Sequence, residues 1–134
     1  ERPSYERALD YFLDMKCDVI DLECASNQAR DAALFKNVDL KKYGKKIGIG
    51  VVDHTRTTVE SPEIVADTIR RALEFIPEDR LVITADCGFG REGLSRRIAY
   101  YKCVSLVLGT NIVRSELGLE EKYVAASDNL YSFS

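Results

Sequence analysis

Three short apolar runs, each closed by an acidic residue, constrain this chain more than any other feature. They are Asp18-Val-Ile-Asp-Leu-Glu23, Ile47-Gly-Ile-Gly-Val-Val-Asp53 and Leu81-Val-Ile-Thr-Ala-Asp86. Short runs of this kind, rich in Val and Ile, suit strands covered on both faces of a parallel sheet. A parallel connection needs a crossover, and the segments between the runs supply helical patterns. Ser61-Pro62-Glu63 is a helix start, with Ser at the N-cap and Pro at the first helical position. Val65, Ile69, Ala72, Leu73 and Ile76 follow as one apolar stripe, Asp67 and Arg71 pair on the solvated face, and Pro77 ends the helix.

The flanking segments are read in the same way. Tyr5, Leu9, Phe12 and Leu13 recur at helical spacing from Tyr5 to Met15, with Ser4 as N-cap after Pro3. The polar stretch from Ser26 to Lys46 reads as one short irregular helix between loops. Its pairs Lys41-Lys42 and Lys45-Lys46 belong to a solvated loop in this reading. After the third run, a Gly88-Phe89-Gly90 turn leads into a long helix. Its expected face is Leu94, Ile98, Tyr101, Ser105, Leu108 and Ile112, and Gly118 ends it. The tail from Glu120 to Ser134 shows no period, and the chain has no internal repeat.

The runs end in Glu23, Asp53, and Asp86 followed by Cys87. Polar groups gathered at the C-terminal ends of parallel strands are how a TIM barrel builds an active site, and a doubly wound sheet obeys the same rule. Three strands cannot close a barrel, which needs eight and about 250 residues. A barrel reading therefore takes these 134 residues as part of one. The first residue is Glu1 rather than Met, which suits a processed or truncated product.

Composition narrows the function classes. A net charge of −3, with acidic and basic residues interspersed, carries no nucleic-acid or membrane footprint. No apolar run approaches the ~20 residues of a membrane-spanning helix, and no signal peptide is recognisable. The four cysteines are Cys17, Cys24, Cys87 and Cys103, and none forms a CxxC pair. Reduced thiols in a cytoplasmic setting are expected. Cys17, Cys24 and Cys103 read as packing residues.

Cys87 is different because it lies between a buried strand and a glycine turn, where its sulfur faces a crevice. Zinc accepts thiolate, imidazole and carboxylate ligands, so Glu23 and Cys87 can converge on one ion if their strand ends share a rim. The bare spacing fits a solvated Glu23 and a structural Cys87 as well. His54 follows Asp53 at the same level. It is a candidate catalytic residue, for a proton transfer or a substrate contact, and equally a hydrogen-bonded surface histidine. Asp53 and Asp86 are candidate substrate-binding residues. The glycine turn from Gly88 to Glu92 suggests a helix N-terminus able to attract an anion, a weak signal because such turns are common.

These segments resemble the catalytic barrel of cobalamin-independent methionine synthase. Asp18-Val-Ile-Asp-Leu-Glu23 is similar to that family's DVISIE segment, and Gly48-Ile-Gly-Val-Val-Asp53 to the GPGVYD/GVVD strand that follows it. Arg80-Leu-Val-Ile-Thr-Ala-Asp-Cys-Gly88 resembles ERLWVNPDCG. Order and spacing agree over roughly residues 5 to 105. The resemblance implies an α/β fold made of the C-terminal β/α units of a TIM barrel, incomplete here, with residues 1–134 forming the C-terminal part of one catalytic domain.

The resemblance also implies a methyltransferase that carries a methyl group from 5-methyltetrahydrofolate to homocysteine, with zinc as cofactor. It makes Glu23 and Cys87 metal ligands. The family's His-x-Cys pair has no counterpart, since Arg56 stands two residues after His54, and it is expected upstream of Glu1. With two ligands, the chain alone is expected to hold zinc poorly. The continuation Gly88-Phe-Gly-Arg-Glu-Gly93 departs from the methionine synthase pattern toward shorter single-barrel relatives. That leaves two alternatives open: a zinc-dependent alkyltransferase of the coenzyme M and epoxide type, and a non-catalytic barrel remnant that binds a partner chain. A homo-oligomer or the rest of its own barrel is the expected protein partner.

Overall fold

In the computed structural model, which describes residues 4–90 and 93–127, the three runs form one parallel sheet. Strand β1 is Val19–Leu22, β2 is Lys46–Gly50 and β3 is Leu81–Thr84, in the spatial order β1-β2-β3. Ile20 lies opposite Ile47 and Ile49 opposite Ile83, so isoleucines of all three strands share one face. Pairing continues past β2, where the Val51 amide donates to the Thr84 carbonyl at 2.9 Å and the Asp86 amide to that of Val52 at 3.1 Å. The strand ends are thereby held at one level.

Helix α1 (Leu9–Asp14) is preceded by a tighter turn over Tyr5–Ala8, where the Ser4 hydroxyl accepts from the Glu6 amide. Helix α2 (Pro62–Leu73) starts at the expected Ser61 cap, which accepts from the Ile64 amide at 3.3 Å. It buries Val65, Ala66, Thr68, Ile69 and Ala72. Asp67 pairs with Arg70, not with Arg71, at 2.6 Å. Arg70 also meets Glu116, and Arg71 reaches Gln28 instead.

One face of the sheet is the core: Ile20, Leu22, Ile47 and Ile49 are buried against the helices. The other face carries Val19, Asp21 and Lys46, all exposed. Gly48 and Gly50 also point there, under the side chains of Asp21 and Asp86. A Cβ at Gly50 would stand 2.8 Å from the Asp86 Cα, so the residue must be glycine for the neighbouring acid to lie flat across the strand.

Two expectations are corrected. The segment 26–46 contributes Ala29, Ala32, Phe35 and Leu40 to the core. Lys45 within it is buried, because its ammonium donates to the carbonyls of Met15 at 2.5 Å and Cys17 at 2.8 Å. A lysine whose ammonium donates to two backbone carbonyls can leave water at a reduced cost. The second correction concerns helix α3 (Arg96–Glu116), which starts at a Ser95 cap and ends before Gly118 in the left-handed region. Its buried stripe is Lys102, Ser105, Gly109 and Val113, while Tyr101 is exposed. Lys and Gly on the packed side hid that face from a hydrophobic pattern. Cys103, expected to pack, lies on the exposed side.

Gly109 sets the approach of α3 to α2. A Cβ there would overlap the Val65 side chain and stand 2.7 Å from the Pro62 carbonyl oxygen. Gly109→Ala is therefore expected to destabilise the fold by about 1–3 kcal/mol despite the better helix propensity of alanine. A lower denaturant midpoint at unchanged slope is the expected result, and an unchanged midpoint would show that the two helices part without cost.

Candidate metal centre

The rim at the C-terminal ends of the strands is built from three loops, each tied by buried hydrogen bonds. After β1 the chain turns at Cys24, and the amides of Cys24 and Ala25 both donate to Asp86 Oδ1, at 2.8 and 3.0 Å. The residue closing the third run therefore fixes the loop after the first, spanning β2 over Gly50. Burial raises the Asp86 carboxyl pKa, and the charges of Asp53 and Glu23 add to it. The two amide bonds oppose that rise without cancelling it.

After β2, Asp53 folds back on its own turn. Its Oδ1 accepts from the Thr55 amide at 2.8 Å and the Thr55 hydroxyl at 2.6 Å, and Arg56 stands 3.6 Å from Oδ2. Burial works to raise this carboxyl, but the Thr55 bonds and Arg56 prevail and its pKa is lowered. The Asp53 amide donates to Glu60 Oε1 at 2.9 Å. Glu60 in turn holds the fully buried Lys102 at 2.9 Å, and the Lys102 ammonium also donates to the Thr58 carbonyl at 2.7 Å. A cation taken out of water needs this enclosure by acceptors. Neither Lys102 nor Glu60 stood out in the sequence. The readable signal was the Lys102-Ser105-Gly109 spacing along one helix face.

On this frame Glu23, His54 and Cys87 meet. One carboxylate oxygen, one imidazole nitrogen and the Cys87 sulfur lie within 4.8 Å of one another. Each comes from a different strand end. The expected convergence of Glu23 and Cys87 is thus what the fold produces, and His54 joins them. Cys87 is exposed, and Glu23 and His54 are half-buried. Among the described residues, the buried Nδ1 of His54 has no hydrogen-bond partner. Asp53 and Asp86 also come within 4.8 Å of His54 through a carboxylate oxygen each. Much of their accepting capacity is taken by the loop bonds.

The donor set fits zinc. A thiolate and an imidazole suit a borderline-soft ion, and a carboxylate completes a mixed S/N/O set of the kind such sites use. An unclaimed buried imidazole nitrogen is the kind of atom that a ligand satisfies. Cys24 is excluded, as expected: it is fully buried, and desolvation, with the charges of Asp31, Asp86 and Glu23, pushes its thiol up to about 12. The glycine turn does not abut α3, because the helix begins at Arg96. The anion reading also used Arg91 and Glu92, which lie outside the described residues. A cleft of about 330 Å³ opens beside the rim, lined by Ser26, Gln28, Asp53, Arg56 and Thr68 among others.

A parallel β/α segment with a donor cluster at its C-terminal rim is the arrangement of α/β enzymes, barrels and doubly wound sheets alike. Comparison with known proteins makes the assignment specific. Residues 2–104 match the family model described as the catalytic domain of cobalamin-independent synthase, and the chain belongs to that family. It is 44% identical over 119 residues to a methionine synthase of Thermococcus kodakarensis, which covers 89% of this chain and 34% of that protein. It is 42% identical over 115 residues to one of Saccharolobus solfataricus, at 84% and 32% coverage. The B12-independent methionine synthase of Shewanella sp. W3-18-1, solved in complex with selenomethionine, superposes with a TM-score of 0.71 at 33% identity. That match covers 84% of this chain and 31% of the solved one. The fold is accordingly part of a TIM-type barrel, and the chain spans about a third of the length of these relatives. Among the described residues, no helix is long and apolar enough to cross a membrane.

Two outcomes test the rim. Asp86→Asn keeps an acceptor for the Cys24 and Ala25 amides, whereas Asp86→Ala loses both bonds and is expected to cost about 1–3 kcal/mol. Because the folded carboxyl is raised, its contribution to stability is full below the unfolded pKa and falls away as pH rises through the folded value. Urea unfolding at several pH values is expected to show that decline in the wild type and not in Asp86→Asn. The thiols give the second test: alkylation near pH 8 is expected to label Cys87 and Cys103 in the native chain and Cys24 only after unfolding. Labelling of native Cys24 would contradict its enclosure.

Proposed function

We propose that the protein is the C-terminal part of a zinc-dependent methyltransferase that forms methionine from homocysteine and 5-methyltetrahydrofolate. The observation that carries this reading is the meeting of Glu23 and Cys87 at the rim of a segment belonging to the cobalamin-independent synthase family. In this reading the two side chains are metal ligands, neither nucleophile nor base. A bound zinc ion supplies Lewis acidity, ionising a substrate thiol whose free pKa is about 8.5.

The chain's own residues then hold and orient. Asp86 keeps the Glu23 loop against the end of β3 through the Cys24 and Ala25 amides. Glu60 and Lys102 hold Asp53, and with it the start of the His54 turn. Asp53 and Asp86 serve as substrate contacts with the accepting capacity that their loop bonds leave. The homocysteine sulfur attacks the methyl carbon and displaces the folate nitrogen, so that an S–C bond forms while the methyl C–N bond breaks. The released nitrogen takes up a proton, which a histidine at this rim is placed to give. Ligands and substrate contacts from the remainder of the barrel complete the site in the intact protein.

Cys87→Ala in the intact protein is expected to abolish methyl transfer and to strip zinc. Cys103→Ala, on an exposed helix face, should keep both and change stability by no more than about 0.5 kcal/mol. Metal analysis and methionine formation from homocysteine and methyltetrahydrofolate are the measurements. Full zinc and full activity in Cys87→Ala would overturn the assignment and favour a metal-free chemistry or a non-catalytic segment.

A further inference from the structure

We infer that Lys102, on α3 and outside the rim, is a positioning residue for the methyl transfer: through Glu60 it sets where the turn bearing Asp53 and His54 stands. The inference rests on the proposed function given above and extends it to a helix that lends the rim no side chain. It concerns turnover, and not only the shape of a loop.

The connection between β2 and α2 has no hydrophobic anchor of its own. Among the described residues 53–61 the one apolar side chain is Val59, and it is 42% exposed. Thr55, Arg56, Thr57 and Thr58 are exposed as well. A stretch with so few buried apolar contacts is mobile unless polar ties fix it. Local ties exist at its start, where Asp53 Oδ1 accepts from the Thr55 amide and hydroxyl. They join Asp53, His54 and Thr55 into one unit and leave open where that unit sits.

Glu60 settles the position. Its Oε1 accepts from the Asp53 amide at 2.9 Å, so the end of the connection holds its beginning. Glu60 is itself held from α3. The Lys102 ammonium donates to Oε1 at 3.1 Å and to Oε2 at 2.9 Å, and the Ser105 hydroxyl donates to the Glu60 carbonyl. Lys102 also donates to the Thr58 carbonyl at 2.7 Å.

Net stability is a poor account of this pair, because a buried ion pair roughly breaks even against apolar residues of similar volume. What it adds is direction. All the acceptors of the ammonium come from one turn, and a fully satisfied buried network specifies one arrangement of it. Asp53, Arg56, Thr58, Val59 and Glu60 also wall the cleft beside the rim. A shift of the turn therefore moves that wall together with Asp53 and His54. Glu23 and Cys87 stand on other loops, tied through Asp86, and are expected to keep their places. A misplacement of about 1 Å at a reacting centre can cost about a hundredfold in rate.

The test uses the intact protein with Lys102→Met, Ser105→Ala, the double variant Lys102→Met/Glu60→Gln, and Arg70→Ala as a control. Arg70 joins α2 to α3 at the surface through Glu116. Circular dichroism verifies the fold, and metal analysis, methionine formation and hydrogen exchange of the peptide carrying residues 53–60 are measured. Lys102→Met is expected to keep its zinc, to lose about tenfold or more in kcat, and to exchange faster over 53–60. Ser105→Ala should show a smaller fall, and it decides the matter if Lys102→Met does not fold. The double variant keeps an acceptor for the Asp53 amide and leaves no unpaired charge, so it should recover most of the lost turnover. Arg70→Ala should match the wild type.

Wild-type turnover in folded Lys102→Met, or in Ser105→Ala where that variant alone folds, would overturn the role. Loss of zinc from Lys102→Met would overturn it too, by making the residue a support of the metal. A double variant no better than Lys102→Met would break the route through Glu60, and an equal fall in Arg70→Ala would reduce the effect to helix packing. If the intact wild type forms no methionine, the proposed function fails instead. Exchange over 53–60 then still reads the turn, and an unchanged rate in Lys102→Met would overturn the positioning as well.

Discussion

The ammonium of Lys102 is the interaction on which the loop carrying His54 depends. It is fully buried in α3 and holds both oxygens of Glu60 and the Thr58 carbonyl. Glu60 passes that constraint to the Asp53 amide, and the Ser105 hydroxyl binds the Glu60 carbonyl from the next turn of α3. The far end of the connection between β2 and α2 is thereby pinned to α3, and its near end is tied to that pinned end through Glu60. Removing either charge would strand the other in a dry interior, where an uncompensated ion costs several kcal/mol. The pair therefore does more to specify one loop conformation than to add net stability.

Asp86 does the corresponding work on the other side of the rim. Its carboxylate reaches across β2 because Gly50 has no side chain, and it gathers two amides from the loop after β1. The bonds are made at an electrostatic cost, since burial and two nearby carboxylates raise its pKa. Glycine and acid thus act as one device. The same arrangement recurs at Gly48 under Asp21, one step down the strand. Together these put the two glycines and the acids above them on one sheet face, while Ile20, Ile47, Ile49 and Ile83 share the other.

The resulting rim separates support from chemistry. Asp53, Glu60, Asp86 and Lys102 have their hydrogen-bonding groups engaged in holding loops. Cys87 is exposed, and His54 has a buried nitrogen without a partner among the described residues. Cys24, one residue from Glu23, is kept a protonated thiol by burial and surrounding carboxylates. Of the two cysteines near Glu23, one is thus enclosed and the other open to solvent.

The chain's sequence by itself determined the elements. Runs of Val and Ile, the Ser61-Pro62 start and the Ser4 cap act over a few residues, and the strands and α2 formed where those local signals put them. It also pointed to the strand ends as the place for Glu23 and Cys87, because every parallel β/α unit delivers its C-terminal residue to the same side. Tertiary structure decided which polar residues go inside. Lys45 and Lys102 read as solvent-facing in any local pattern and are buried only because carbonyls and a carboxylate from distant segments surround them. The buried face of α3 stayed hidden for the same reason, since Gly109 is selected by the closeness of Val65 and not by helix propensity. The meeting of His54 with Glu23 and Cys87 belongs here too. It depends on how far a loop folds back after β2, and that is set by Glu60 and Lys102, whose contact is a property of the packed molecule alone.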